Sequence, residues 1–165
     1  MSGVRLFGKL PAHGDFVRRG LPADMVAAWD GWAAKALAAA QAALGEAGFA
    51  AAWDAMPCWA LALPAGACGT APLSGVMAGG RDGVGRRFPL LLAVPGPAPS
   101  ETWFATLAQR ALAALRDGWD ADRLAASLPE PQGSTALQGW WSAQQEWPLR
   151  QLVPPGHFHR LLDAA

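Results

Sequence analysis

The sequence predicts an α+β fold, a mixed α/β sandwich with a mainly antiparallel central sheet of about five strands flanked by helices. Three observations carry this. Strand-like segments cluster at residues 4–10, 15–19, 58–63, 74–78 and 88–94 around a single early helix instead of alternating with helices, which argues against a doubly wound parallel sheet. Of the 165 residues 52% are apolar and only 16% charged, enough to bury a core without staples. No internal repeat and no linker interrupts the chain, so one domain spanning 1–165 is expected. The element order is shared by longin- and profilin-like sandwiches, a topological comparison only.

Residues 4–10 (VRLFGKL) alternate as a short strand, and Pro11 and Gly14 then bracket a turn. A second strand follows at 15–19, with Phe16 facing inward and Arg18 outward. Pro22 and Asp24 suit a first helical turn. Val26, Trp29, Ala33, Leu37, Ala40 and Leu44 then recur at helical spacing, with Gly45 as the stop and a further helical turn over 46–55. In CWALAL (58–63) bulky Trp59, Leu61 and Leu63 alternate with small residues, so one face admits close packing by a helix. Residues 74–78 and 88–94 form a hairpin around GGRDGVGRR, and Pro89 places the second strand's start there or the strand at an edge. Ser100 caps a helix with Phe104, Leu107, Ala111 and Leu115 as its buried stripe; Gly118 ends it. Asp120 caps a short helix stopping at Leu128 before Pro129. The tail holds a polar loop, Trp140–Trp141, and a last helix seeded by Pro154–Pro155 and carrying Phe158, Leu161 and Leu162.

Thirteen basic residues balance thirteen acidic ones, so no global field recruits nucleic acid or anionic lipid. The N-terminus lacks the layout of a secretion signal and no apolar run reaches the roughly 20 residues of a spanning helix, so a cytoplasmic protein is expected. Cys58 and Cys68 are the only thiols and imply no disulfide framework.

Chemistry is sparse. His157 and His159 lie i, i+2, which on a helix points them to different faces, and with His13 they complete the histidines; no metal and no cofactor is expected. Ser74 precedes Gly75 but no GxSxG elbow exists. His13 and Asp15 are two apart, a spacing that on a strand would put both on one face, but no nucleophile is evident, which leaves a hydrolase or small-ligand binder as a lesser alternative. Gly80, Gly83 and Gly85 do not form a phosphate loop, and the segment leads into a strand. Asp82 with Arg86 braces that loop, leaving Arg87 for an acidic or phosphorylated partner. Arg18, Arg19, Arg86 and Arg87 form one patch if the two loops meet. Of Trp140 and Trp141, one plugs the core and the other covers a surface or interface, and with the four arginines they are the candidate partner-binding residues.

Three blocks, GKLPAHGDFVRRGLP, WALALPAGACG and SGVMAGGRDGVGRRFPLLLA, together with the paired tryptophans and the late proline-led helix, resemble the TagF family of bacterial type VI secretion accessory proteins. Gly8, Lys9, Leu10, Pro11, Gly14, Asp15, Phe16 and Arg19 match the first block; Trp59, Gly66, Cys68 and Gly69 the second; Gly75, Val76, Asp82, Val84, Gly85, Arg86, Phe88 and Pro89 the third. Ala78–Gly79–Gly80 and Arg87 depart from the usual pattern. The resemblance implies a stand-alone, non-enzymatic, post-translational repressor that binds the forkhead-associated (Fha) scaffold protein of the system and works beside its Ser/Thr kinase and phosphatase. A structural or assembly component of the apparatus is the alternative. On this reading Gly8, Pro11, Gly14 and Gly20 shape a sharp turn, Phe16 pins it to the core, and Asp15 pairs with Arg86 to lock two motif loops together.

Overall fold

The computed structural model describes residues 3–163. Seven strands form one sheet: β1 (Arg5–Gly8), β2 (Val17–Arg19), β3 (Trp59–Leu63), β4 (Leu73–Ala78), β5 (Leu90–Pro95), β6 (Gly139–Trp141) and β7 (Glu146–Trp147), in the order β2-β1-β5-β4-β3-β6-β7. Each of these neighbours pairs antiparallel, with Trp59 opposite Met77 and Leu61 opposite Gly75 and Trp140. The helices are α1 (Ala23–Asp54), α2 (Glu101–Asp117), α3 (Ala121–Ser127) and a closing 3₁₀ helix (Pro155–Leu162).

The period-2 pattern of the strands decides which helix lies where. Trp59, Leu61, Leu63, Leu73, Met77 and Leu91 face one way and pack on Trp29, Trp32, Phe49 and Trp53 of α1 and on Phe158 and Leu161 of the 3₁₀ helix. Ala60, Ala62, Val76, Ala78, Leu90 and Leu92 face the other way, and their smaller side chains admit Phe104, Leu107 and Ala111 of α2 and Leu124 of α3. The sheet therefore separates two apolar cores, one per face.

Caps and breaks follow local chemistry. The Ser100 hydroxyl accepts from Trp103 N (3.2 Å), the Asp120 carboxylate from Arg123 N (2.8 Å), and Gly118 closes α2 at φ 69°. Gly45 adopts φ 73°, ψ 166° and breaks α1, but the helix resumes directly and runs to Asp54. Leu44, at the break, is exposed, and Ala114 replaces Leu115 as the fully buried end of the α2 stripe. β5 is a central strand, so Pro89 sits just ahead of it and lies on no edge. The two strands that sequence periodicity misses, β6 and β7, are three and two residues long, too short for alternation to register.

The tryptophans clamp the C-terminal segment. Indole N–H groups of Trp32, Trp59 and Trp140 donate to the carbonyls of Val153 (2.6 Å), Leu161 (2.7 Å) and Gln151 (2.9 Å). Gln151 and Val153 lie in irregular chain and Leu161 at the end of the 3₁₀ helix, so the indoles supply donors that the backbone does not. Trp29 is equally buried, but its Nε1 has no partner among the described residues. Trp59→Phe should therefore cost about 1–2 kcal/mol more than Trp29→Phe, because only the first orphans a buried carbonyl; denaturant unfolding of the two variants measures the difference.

Candidate functional site: two braced loops

The loop between β1 and β2 and the loop between β4 and β5 meet at one carboxylate. Asp82 is only 2% exposed, although it lies in a connecting loop. Its Oδ1 accepts from the backbone N–H of Val84 (3.1 Å) and Arg86 (2.9 Å), which folds GGRDGVGRR back on itself. Its Oδ2 accepts from Arg86 Nε (2.7 Å) and stands 3.4 Å from Lys9 Nζ, itself buried. One carboxylate thus binds a cation from each loop. Burial pushes the Asp82 carboxyl up, but the Arg86 N–H and guanidinium and the Val84 N–H outweigh it and hold the group at about 2.

Backbone contacts complete the joint. Arg86 Nη2 donates to Gly14 O (2.7 Å), and Gly83 N donates to His13 O (2.6 Å). The approach is close enough to require glycine: a Cβ on Gly80 would lie 2.5 Å from both Lys9 O and Phe88 O, and one on Gly8 2.6 Å from Pro89 O. Lys9 also lies over the Phe16 ring at 4.8 Å, and Phe16 stacks on Phe7 (5.7 Å) and meets Phe88 edge-on (4.8 Å).

Two expectations need correction here. Asp15 does not pair with Arg86: it is exposed, and its Oδ1 accepts from the N–H of Phe16 (2.8 Å). Asp82, four residues before Arg86 on the same hairpin, already holds the guanidinium, which reaches across to a carbonyl instead. Nor is Phe16 buried. It is 44% exposed, because its ring lies on the outer side of Phe7 and Phe88 rather than between sheet and helix.

The four arginines do not gather into one free patch. Arg18 donates to Leu21 O (2.8 Å), Arg19 to Asp122 of α3 (3.0 Å), and Arg87 to Asp54 at the end of α1 (3.2 Å). Each is drawn to the nearest acceptor on a different element; only Arg86 and Arg87 share a surface, a cavity of about 780 Å³ also lined by Gln41, Glu46, Phe49 and Gly85. Trp140 is 1% exposed and packs near Trp32, so it serves the core and is out of a partner's reach. Trp141 is half-buried against Phe104 and lines an apolar groove of about 580 Å³ with Cys58, Ala108 and Leu112.

His13 Nε2 accepts from Ala121 N (3.0 Å), an acceptor role that needs the ring's proton on Nδ1, and so ties the first loop to α3. Asp15 is not its partner. In the second block, Cys68 is buried with Sγ near Met25 O (3.7 Å), Gly66 N donates to Gly69 O (3.0 Å), and Thr70 donates twice to Asp24 (2.8 and 2.9 Å). That loop fixes the start of α1. Burial raises both thiols to about 12, with the Asp24 charge adding to the effect at Cys68. Among the described residues no group of three or more His, Cys, Asp or Glu could hold a metal ion, and no helix is long and apolar enough to cross a membrane.

Removing Asp82 leaves Lys9 buried without its counter-charge, so Asp82→Ala should lower the melting temperature by on the order of 10 °C, against about 2 °C or less for Asp15→Ala. The acid limb carries a further signature. The folded Asp82 carboxyl at about 2 lies below the ordinary unfolded value of about 3.9, so its contribution is complete above that value and is lost as pH falls towards 2. The stability gap between the wild type and Asp82→Asn should accordingly shrink between pH 5 and pH 2, measured by denaturant unfolding at stepped pH.

The model of the TagF N-terminal domain, type VI secretion system-associated, matches residues 5–130. The crystal structure of PA0076 from Pseudomonas aeruginosa PAO1 is similar at a TM-score of 0.82 and 28% identity, covering 98% of this chain and 94% of that one. No curated protein matches by sequence. The structural likeness takes in β6, β7 and the closing 3₁₀ helix, which lie beyond the matched family region. With both braced loops and most of its length inside that region, the chain belongs to the TagF N-terminal domain family, associated with type VI secretion systems.

Proposed function

We propose that the chain is a cytoplasmic docking module, one domain over 1–165, that represses type VI secretion after translation by binding the Fha scaffold protein. Family membership supports the system. One observation carries the docking reading: the signature residues spend their polar groups on one another and present an apolar rim. Lys9, Asp82, Arg86 and the Gly14 carbonyl lock the two loops, while Phe16 (44% exposed) and Val84 (74% exposed) stay open to solvent. A rigid rim with an aromatic and an aliphatic side chain loses little entropy on association.

The same geometry supports a non-enzymatic reading. His13 spends Nε2 on the Ala121 N–H and Asp15 faces solvent, so the pair a hydrolase would use is not assembled. The module would act beside the kinase and phosphatase of the system through the scaffold they share, and Trp141 with its groove offers a secondary contact.

Titration of the purified chain with the Fha scaffold should show association at micromolar concentration or tighter. Val84→Glu, at a position with no packing role, should weaken it by about tenfold or more without moving the melting temperature. Deletion of the gene should raise secretion; loss of secretion on deletion would instead identify an assembly component of the apparatus.

A further inference from the structure

We propose that the cavity between the bend of α1 and the β4–β5 loop receives an acidic side chain from the protein partner, with Arg86 and Arg87 as its two receptors. The inference rests on the docking function above and assigns its chemistry and location.

The protein itself already holds both guanidinium groups in place. A guanidinium carries five N–H donors in a fixed plane. Arg86 spends Nε–H on Asp82 and one Nη2 donor on Gly14 O, both at 2.7 Å. Arg87 turns Nε and Nη2 to Asp54 at 3.2–3.4 Å. In both, the Nη1 group has no protein partner among the described residues, and Arg86 remains 59% exposed in its side chain. These are braced forks. Their rotamers are already fixed by the protein, so an incoming carboxylate meets oriented donors and orders little on binding.

Adjacent residues in a regular strand would point to opposite sides. Here the loop is irregular: Gly85 sits at φ 88°, and Arg86 and Arg87 line the same cavity of about 780 Å³. Gly85 contributes wall without a side chain, Gln41 an amide and Phe49 an apolar face. Val84, beside them, is the most exposed of the large apolar side chains and offers contact to the flanking residues of a bound segment.

Charge selects the occupant. Asp82 holds Lys9 as well as Arg86 and Asp54 holds Arg81 as well as Arg87, so with Glu46 on the cavity wall these linked groups carry four positive charges against three negative. A single carboxylate neutralises that excess. A nucleic acid or an anionic membrane would bring dense negative charge against Glu46 on the cavity wall, and the chain as a whole is neutral. A peptide segment with one acidic side chain beside apolar ones fits both the charge and the surface.

The test is calorimetric titration of the Fha scaffold into wild type, Arg87→Gln and Glu46→Gln, each first shown to melt as a folded protein. Arg81 stands 3.9 Å from Asp54, so the helix end has a second counter-charge when Arg87 is replaced. Arg87→Gln should weaken binding about tenfold, and Glu46→Gln should tighten it about threefold, a gain that misfolding cannot mimic. Equal affinity of all three proteins would overturn the arginine cavity as receptor while leaving docking through another surface in place. No association of the wild type would remove both the cavity and the function proposed above.

Discussion

The carboxylate of Asp82 is the constraint on which the joint between the two loops depends. A carboxylate taken out of water is unfavourable unless its oxygens are satisfied, and here two backbone N–H groups, one guanidinium and one ammonium do so. The two cations come from loops more than seventy residues apart in sequence, so a single buried charge sets the spacing between them. Gly80 lets the Lys9 and Phe88 backbones approach beside it, and Phe16, packed on Phe7 and Phe88, covers the ammonium. A face held in this way has few internal degrees of freedom, which suits recognition of one partner.

The sheet beneath is organised by side-chain size. Alternation of large and small residues along β3 assigns α1, with its tryptophans, to one side and α2 to the other. α3 is tied back to the first loop by His13 and to β2 by Arg19, so a helix built on the second core also steadies that loop. Both cores thus converge on the same surface from opposite faces of the sheet.

Much of this was legible in the sequence, for definite reasons. Five strands, the early helix, Ser100 and Asp120 as caps and Gly118 as a stop all follow from local periodicity and local hydrogen bonding. The Asp82–Arg86 brace was legible because both members lie on one loop. What local pattern does not contain is which distant group completes a pair. The partner that Arg86 finds across the gap is the Gly14 carbonyl, not the neighbouring Asp15, and a backbone oxygen leaves no residue-type signal. Phe16 reads as apolar and therefore inward, yet its ring serves as a lid over Lys9. β6 and β7 owe their existence to pairing with β3 and to each other, a tertiary effect in segments with no period of their own.

The indole clamps on the tail carry one last implication, for the nascent chain. Trp32 and Trp59 emerge from the ribosome long before Val153 and Leu161, the residues whose carbonyls they bind. In the interval the α1 face of the half-made sheet lacks its cover, with Phe158, Leu161 and Leu162 still to arrive. Completion of the larger core therefore waits for this tail, and a chain cut short before residue 150 would be an apolar, aggregation-prone fragment and not merely a weakened fold.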